Sequence, residues 1–266
     1  MSRTGDLQGE TPVLPAGWSL SCFEELESTS RTARERVERG EASDGQIIWA
    51  LSQTGGRGRM GRGWSSPRGN LYQSCLVRAP ADPARAAEAS FVAAVATARA
   101  LEILCPASQP RCKWPNDIFC QGAKVSGILL ELARGPGEGG EPSPWLIVGI
   151  GINLALAPDT PSLYPAAALA DFGVEVSPAA ALEVLADCLC GWLSVWRTQG
   201  FGPVREAWLS RAMGLGEPVE VRLGAGQVLR GHFGGLDTTG RLALTGDDGV
   251  TIEHYISAGD VFFQGM

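Results

Sequence analysis

The sequence predicts an α+β domain with a central mixed β-sheet flanked by helices, followed by a small all-β domain. Short apolar runs bounded by turn residues alternate with segments of helical periodicity up to about residue 216. After residue 217 the pattern changes to short strands at intervals of roughly 8–12 residues with Gly and Asp turns, which is typical of a small barrel. The 266 residues are 44% hydrophobic and 19% charged, which allows one or two globular domains.

Strands are predicted for the apolar or alternating runs at 18–26, 46–51, 71–77, 111–114, 117–120, 124–132 and 146–154. Helices are predicted at about 28–39, 83–104, 178–198 and 203–211. Ser28, Thr29 and Ser30 offer N-cap hydroxyls for the first helix, and Gly40 ends it. A loop rich in Gly and Pro (135–144) separates two of the strands, so we expect them to form an antiparallel hairpin. The five barrel strands are predicted within 219–263.

Charge and cysteine usage exclude several classes of protein. The formal net charge of −7 disfavours a general nucleic-acid coat protein and binding to an anionic membrane. Seven cysteines form no CxxC pair and only two histidines are present, so we expect a reduced, cytoplasmic protein with few zinc ligands. Residues 1–17 read as a flexible tail without a signal core, and the longest apolar stretch, 145–157, is too short to span a bilayer.

Lysine is almost absent from the chain. Of 22 basic residues only Lys113 and Lys124 are lysine, and they lie in one 12-residue segment. Arginine serves as the cation everywhere else. Either these two positions need a compact ammonium group, or the two lysines lie there by chance.

The segment 55–64, GGRGRMGRGW, combines five glycines with three arginines. Glycine lets the backbone approach a ligand closely, and the guanidinium groups of Arg57, Arg59 and Arg62 suit phosphate or carboxylate. The Gly-Lys-Ser/Thr ending of a P-loop is missing. Three interpretations stay open: an anion-binding loop that is mobile without its ligand, a plain solvated loop, and a segment that contacts RNA.

The segment 113–131, KWPNDIFCQGAKVSGILLE, places polar residues between apolar runs. Asp117 is either a ligand of Mg²⁺ or the cap of a turn. Lys124 lies across a turn from it, where its ammonium either neutralises a phosphoryl group or is merely exposed. Gly127 interrupts an apolar strand, which allows a flat ligand to lie on the sheet or marks a β-bulge.

The segment 149–153, GIGIN, is not a dinucleotide fingerprint, because the third glycine and the following helix are missing. Asn153 ends an apolar strand. Its amide is suited to a purine edge or to closing a turn.

Taken in order, these motifs closely resemble those of the biotin protein ligases, also called biotin–[biotin carboxyl carrier protein] ligases. The resemblance extends from about Trp18 over essentially the rest of the chain. It rests on Ser28-Thr29-Ser30, Gln53, GRGRMGRGW, KWPNDI, a lysine eight residues after the asparagine, GILLE and GIGIN. The glycine–arginine loop together with KWPND and the lysine is a specific combination, whereas either glycine motif alone is weak.

The resemblance implies a two-step reaction and an architecture. Biotin and ATP first give biotinyl-5′-AMP and pyrophosphate, and a lysine of a carrier domain of the acetyl-CoA carboxylase type then takes the biotinyl group. The implied fold is a class II synthetase-like catalytic domain at 18–214, after a tail at 1–17, with an SH3-like barrel at 215–266. Mg²⁺ is implied as the ion that accompanies ATP.

The resemblance also implies roles for particular residues. It assigns catalysis to Lys124, Arg59 and Asp117, the last also being the residue linked to Mg²⁺-ATP. It assigns biotin binding to Ser28, Thr29, Ser30, Gln53, Arg57, Gly58, Arg59, Lys124, Gly127, Ile128 and Leu129. It assigns ATP binding to Arg57, Arg59, Arg62, Trp64, Lys113, Asn116 and Asn153, with Trp64 closing over the ligand as the loop orders.

Two departures from the family pattern affect these expectations. Ser30 stands where the family usually has Asn, so its contact with biotin is in question. Only about 17 residues precede the expected catalytic domain, so we expect a monofunctional ligase that binds no DNA. A homodimer is left open. The alternatives are a lipoate-type acyl-adenylating ligase and a nucleic-acid-binding module that uses the Gly/Arg loop.

Overall fold

A seven-stranded mixed sheet dominates the computed structural model, which describes residues 11–137, 141–158 and 164–263. Its strands are β1 (Ser19–Leu26), β2 (Gln46–Gln53), β3 (Leu71–Arg78), β4 (Arg111–Lys113), β5 (Asp117–Cys120), β6 (Ala123–Pro136) and β7 (Pro142–Ile152). They lie in the order β1-β2-β3-β7-β6-β5-β4. β1 and β2 are parallel, and the other neighbouring pairs are antiparallel. The sheet is therefore mixed, as the sequence predicts.

Helices cover both faces of this sheet. They are α1 (Thr29–Glu38), α2 (Glu88–Leu104), α3 (Pro178–Gln199) and α4 (Phe201–Leu209). α1 buries Ala33 and Val37 in a small apolar cluster with Ile48 and Leu76 of the sheet. The larger cluster lies on the other face, where α2 packs against α3 and α4. α1 thus packs on the sheet face formed by β2, β3, β7 and β6.

A second, five-stranded antiparallel sheet follows. It contains β8 (Pro218–Arg222), β9 (Val228–Leu236), β10 (Leu242–Thr245), β11 (Ile252–Ile256) and β12 (Asp260–Phe263), in the order β11-β10-β9-β8-β12. All five strands fall where the sequence predicts them. The fold class is confirmed: a mixed sheet flanked by helices, and then a small all-β unit.

The predicted elements differ from the observed ones mainly at their ends. The helix predicted at 83–104 begins as a 3₁₀ turn (Pro83–Ala87), which the Asp82 side chain caps, and α2 itself begins at Glu88. The hairpin is confirmed as β6–β7. Both strands extend into the predicted loop 135–144, because β6 ends at Pro136 and β7 begins at Pro142. Residues 138–140 of that loop and residues 1–10 of the predicted tail lie outside the described residues.

One described helix, α3, is long and apolar enough to cross a membrane by length and composition. The apolar stretch 145–157 belongs to strand β7 as far as Ile152. α3 carries Glu183 and Asp187, and its apolar side packs on α2 and α4. Its apolar residues are buried in the larger core cluster, as in an ordinary core helix.

Candidate functional site

A cavity of about 600 Å³ lies where the start of α1, the glycine loop and the centre of the sheet meet. This volume is typical of a site for a small molecule. All the residues that the resemblance singles out line it: Ser28, Thr29, Ser30, Gln53, Arg57, Gly58, Arg59, Arg62, Trp64, Lys113, Asn116, Asp117, Lys124, Gly127, Ile128, Leu129 and Asn153. The fold therefore brings segments more than a hundred residues apart in sequence to one place.

One end of the cavity holds a neutral hydrogen-bonding cluster. The Gln53 side-chain oxygen accepts hydrogen bonds from the backbone N–H of Thr29 at 2.8 Å and from its hydroxyl at 3.2 Å. The Gln53 amide nitrogen donates to the Ser66 hydroxyl at 2.9 Å. The hydroxyls of Thr29 and Ser30 lie 2.9 and 3.1 Å from that of Ser74. These contacts fix the orientation of the Gln53 amide at the cavity wall.

The N-cap prediction for Ser28 is only partly right. Ser28 occupies the N-cap position of α1, but its side chain makes no capping hydrogen bond to this helix. The hydroxyls of Thr29 and Ser30 are likewise directed to Gln53 and Ser74 rather than to the helix backbone. The three hydroxyl residues are buried and line the cavity. They therefore form part of the cavity wall.

The glycine loop is a tight hairpin. The backbone N–H of Gly58 donates to the Arg62 carbonyl at 2.7 Å, and that of Trp64 donates to the Gly56 carbonyl at 2.9 Å. A Cβ atom on Gly56 would lie 2.4 Å from the Trp64 carbonyl oxygen, so only glycine fits there. The loop brings Trp64 back over the sheet.

The first two loop arginines have separate partners. Arg57 lies 3.8 Å from Glu27, just before α1, and is more than half exposed. Arg59 donates to the Asn116 side-chain oxygen at 3.2 Å, and the Asn116 amide donates to the Ile128 carbonyl at 2.6 Å. Burial lowers the pKa of Arg59, an effect that nearby carboxylates partly offset. Asn116 thus links Arg59 to strand β6.

The third loop arginine, Arg62, reaches the second sheet. Its Nη2 atom lies 2.9 and 2.6 Å from the two carboxylate oxygens of Asp260, at the start of β12. The Asp260 hydrogen bond raises the pKa of Arg62. Sequence reasoning missed Asp260, because a single acidic residue in a barrel strand carries no motif.

Trp64 lies across two facing glycines. Gly127 of β6 and Gly151 of β7 are directly paired in the sheet. A Cβ atom on Gly127 would lie 2.8 Å from the indole ring, and one on Gly151 would lie 2.6 Å from its Nε1 atom. The space predicted for a flat ligand at Gly127 is therefore taken by the Trp64 indole in this structure. The buried Nε1 atom has no hydrogen-bond partner among the described residues.

Asp117 and Lys124 form an ion pair across the β5–β6 hairpin. The Lys124 Nζ atom lies 2.7 Å from an Asp117 carboxylate oxygen. Gln121 and Gly122 connect the two strands with φ angles of 49° and 85°, as a type I′ turn requires. Asp117 thus faces a cation rather than capping the turn, and Lys124 is partly buried rather than freely exposed.

Lys113 is buried, with 2% of its surface exposed, and its Nζ atom lies 4.2 Å from the centre of the Tyr164 ring. Burial lowers the pKa of Lys113 to about 8, with Asp117 opposing the shift and Lys124 adding to it. The chain's only two lysines therefore lie in the same cavity. Among the described residues, the nearby Asp117 carboxylate is paired with Lys124 rather than with Lys113, so the buried Lys113 ammonium favours binding of an added anion.

Electrostatically the cavity contrasts with the rest of the chain. Its described lining includes the five cations named above and two carboxylates, Asp117 and Asp260, whereas the whole chain carries a net charge of −7. Among the described residues, no group of three or more His, Cys, Asp or Glu is arranged to hold a metal ion. The cavity is thus suited to anionic ligands.

Asn153 closes a loop. It directly follows strand β7 and donates from its side chain to the Ala167 carbonyl at 3.1 Å, which holds segment 164–168 beside Lys124. Two features of the cavity were not predicted from the sequence. They are Tyr164 and the role of the glycines in the GIGIN segment as part of the cavity lining. The alternation of Gly149 and Gly151 along one face was the available signal for a glycine surface on the sheet.

Comparison with known proteins relates this geometry to a family. The sequence model of the "Biotin/lipoate A/B protein ligase family" matches residues 22–153, and that of the "Biotin protein ligase C terminal domain" matches residues 214–264. The chain is 40% identical over 247 residues to the biotin–[acetyl-CoA-carboxylase] ligase of Paracoccus denitrificans, covering 90% of this chain and 100% of that protein. The chain belongs to the biotin protein ligase family.

Other biotin protein ligases match over most of this chain. The bifunctional ligase/repressor BirA of Escherichia coli is 31% identical, and the match covers 87% of this chain and 70% of BirA. The biotin protein ligase of Aquifex aeolicus, solved in complex with biotin and ATP, superposes with a TM-score of 0.75 at 28% identity. That match covers 92% of this chain and 99% of the Aquifex chain. The observed fold is thus the biotin protein ligase fold.

Proposed function

We propose that this ligase uses the cavity to activate biotin with ATP and to transfer the biotinyl group to a lysine of an acetyl-CoA carboxylase-type carrier domain. One observation carries the assignment of the cavity. A neutral cluster of amide and hydroxyl groups and a cluster of five cations face one enclosed space in a chain that is otherwise acidic. A ligand with an uncharged polar ring at one end and a reacting carboxylate at the other matches both clusters.

The neutral cluster suits the ureido ring of biotin. That ring presents one carbonyl acceptor and two N–H donors, which need partners when they are buried. Gln53, Thr29 and Ser30 offer an amide and hydroxyls whose positions are fixed by Ser66 and Ser74. The remaining predicted contacts, Ser28, Gly58, Gly127, Ile128 and Leu129, complete this wall.

The cationic cluster suits the reacting groups. In the first step a biotin carboxylate oxygen attacks the α-phosphorus of ATP, and pyrophosphate leaves. Both reactants are anions, so preorganised cations at the point of attack lower the barrier. Lys124 and Arg59 both line the cavity, and the buried ammonium of Lys113 lies close enough to feel both charges.

Mg²⁺ enters this proposal as a companion of the nucleotide. Protein sites for Mg²⁺ commonly offer one or two carboxylates and leave the other positions to substrate phosphates and water. Asp117 offers one carboxylate to this donor set, in a cavity whose described lining is otherwise mainly cationic. A Mg²⁺ ion bound there would neutralise negative charge on the phosphates.

In the second step an amine of the carrier lysine attacks the carbonyl carbon of the biotinyl adenylate. The bond to the phosphate oxygen breaks, AMP leaves, and the amine loses a proton. The mixed anhydride has to be protected from water until the carrier arrives. Trp64, which lies over the sheet beside Lys124, is the group placed to cover it.

Several broader expectations belong to the same proposal. We infer a reducing, cytoplasmic setting, which is supported by seven cysteines that are all free in the described residues. Four expectations remain predictions: a tail at 1–17, a domain boundary near residue 214, ligase activity without DNA binding, and a homodimer. Size-exclusion chromatography with light scattering and a DNA-binding titration test the last two.

Gln53→Met tests the biotin assignment, because it keeps the side-chain length and removes the amide. We expect the KM for biotin in carrier biotinylation to rise about tenfold or more while the KM for ATP stays the same. Gln199→Met, at the exposed end of α3, is the matched control. Equal KM values for biotin in Gln53→Met and wild type contradict the assignment, and a preference for lipoate over biotin contradicts the substrate.

A further inference from the structure

A contact between the glycine loop and the second sheet is not required by the reaction chemistry. Arg62 and Asp260 are 198 residues apart in sequence, yet the Arg62 Nη2 atom lies 2.9 and 2.6 Å from the two Asp260 oxygens. The two side chains are 44% and 24% exposed, so the pair lies at the rim of the cavity. Charged groups with such well-defined geometry form the more effective surface ion pairs.

Asp260 sits at a fixed point of the second sheet. It is the first residue of β12, which pairs with β8. The next residue, Val261, accepts a hydrogen bond from the Tyr164 hydroxyl at 2.6 Å. The Tyr164 ring in turn contacts Phe119 of the large sheet and Phe262 of β12. The start of β12, which carries Asp260, is thus linked through Tyr164 to the large sheet.

Arg62 in turn is two residues from Trp64, the side chain that lies over Gly127 and Gly151. A loop with five glycines loses much conformational entropy when it is ordered, so each fixed contact matters for its closed form. Fixing the Arg62 guanidinium therefore restricts where the Trp64 indole can go.

We propose that Asp260 is a positioning residue: through Arg62 it holds the glycine loop, and with it Trp64, across the cavity. The second sheet thereby contributes to closing the site without touching the reacting atoms. The expected effect of Asp260 on catalysis rests on the proposed function, whereas its expected effect on the position of the glycine loop does not. Because Arg62 is engaged by Asp260, Arg57 and Arg59 are the loop arginines left to meet the nucleotide, which revises the expectation that all three loop arginines bind ATP.

Limited trypsin digestion of the ligand-free protein tests the loop directly, because cleavage after Arg57 and Arg59 requires the loop to open. We expect Asp260→Asn to speed these two cleavages about fivefold, the effect of losing one well-formed ion pair. Asp260→Glu keeps the carboxylate and should restore most of the protection. Asp247→Asn makes the same change on an exposed turn of the same sheet and should leave the cleavage rate unchanged.

A charge exchange separates the pair from a general loosening of the sheet. Arg62→Asp alone should speed cleavage after Arg57 and Arg59, and adding Asp260→Arg should slow it again. The Tm of Asp260→Asn should lie no more than about 2–4 °C below that of Asp247→Asn, as expected for the loss of one surface ion pair. Unchanged cleavage in Asp260→Asn, or failure of the exchange to restore protection in a folded protein, overturns the proposal.

The catalytic consequence has its own readout. With biotin and ATP but without carrier, Asp260→Asn should release AMP about fivefold faster than wild type, since an open loop admits water to the adenylate. Equal AMP release together with faster cleavage means that the pair holds the loop but does not protect the adenylate, which overturns this half of the proposal. If the wild type forms no adenylate while the cleavage pattern is as expected, the proposed function fails and the loop contact stands.

Discussion

Adding a methyl group at Gly127 should force Trp64 off the sheet. The new Cβ would lie 2.8 Å from the indole Cζ3 atom and 3.2 Å from Cη2, whereas carbon atoms in contact are normally about 3.5–4.0 Å apart. Overpacking of this kind costs about 1–3 kcal/mol. Because the indole is carried by a loop, it can move aside, so we expect Gly127→Ala to cost about 1–2 kcal/mol of unfolding free energy.

Urea unfolding of four proteins measures this contact: wild type, Gly127→Ala, Trp64→Ala and the double variant. In the Trp64→Ala background the methyl group meets no indole, so its cost should fall below about 0.5 kcal/mol. Gly191→Ala in α3, where no described atom would lie within 4 Å of the new Cβ, should instead stabilise the protein by about 0.5–1 kcal/mol. An equal cost of Gly127→Ala in both backgrounds would refute the position of Trp64.

Three further predictions concern the two lysines and the buried Asn70. Lys124→Met should lower the rate of adenylate formation about 10²–10³-fold, measured in single-turnover assays, with Arg99→Met on the exposed face of α2 as the control. Burial lowers the pKa of Lys113 from 10.5 to about 8, so the native chain releases this proton before the unfolded chain does. Lys113 should therefore contribute a rise in the free energy of unfolding between about pH 8 and 10.5, by up to about 3 kcal/mol. Buried thiols with raised pKa values oppose this rise in wild type and variant alike, so it is measured in urea titrations as the difference between wild type and Lys113→Met; an identical pH profile of the two proteins would contradict it. The buried Asn70 oxygen accepts three backbone N–H bonds from residues 154–156 at 2.9–3.1 Å, so Asn70→Ala should cost about 3 kcal/mol, and a loss below 1 kcal/mol would be inconsistent with these bonds.

The elements of the fold could be predicted because their signals are local. The Gln121-Gly122 pair has the residues that a tight hairpin needs, and it joins β5 and β6 as expected. The strict apolar runs on either side of the loop 135–144 gave the β6–β7 hairpin. Helix ends were less certain, since Pro83 begins a 3₁₀ turn and the regular helix follows only at Glu88.

The members of the site were predictable from their motifs, but their partners were not. Nothing near Asp260 in the sequence indicates that it meets Arg62, because that contact depends on how two sheets pack. Ser74 likewise lies on an ordinary strand, and only the register of β3 beside α1 places its hydroxyl between Thr29 and Ser30. Contacts between elements distant in sequence arise from tertiary packing, which local patterns do not encode.

Ser30 illustrates the limit of a residue-by-residue comparison. It stands where the family usually has Asn, and its hydroxyl lies 3.1 Å from that of Ser74. A Cβ atom on Gly149 would lie 3.0 Å from the same hydroxyl, so the site is closely packed on that side. The shorter serine thus has a defined place in the wall of the cavity.

The central claim is that one cavity activates biotin with ATP, and exchange of labelled pyrophosphate into ATP tests it most directly. The assay needs only purified protein, biotin, Mg²⁺, ATP and labelled pyrophosphate, without a carrier. We predict exchange that depends on biotin, is not supported by lipoate, and is reduced by at least about 10²-fold in Lys124→Met. Biotin-independent exchange, or none from a folded protein, would contradict the claim.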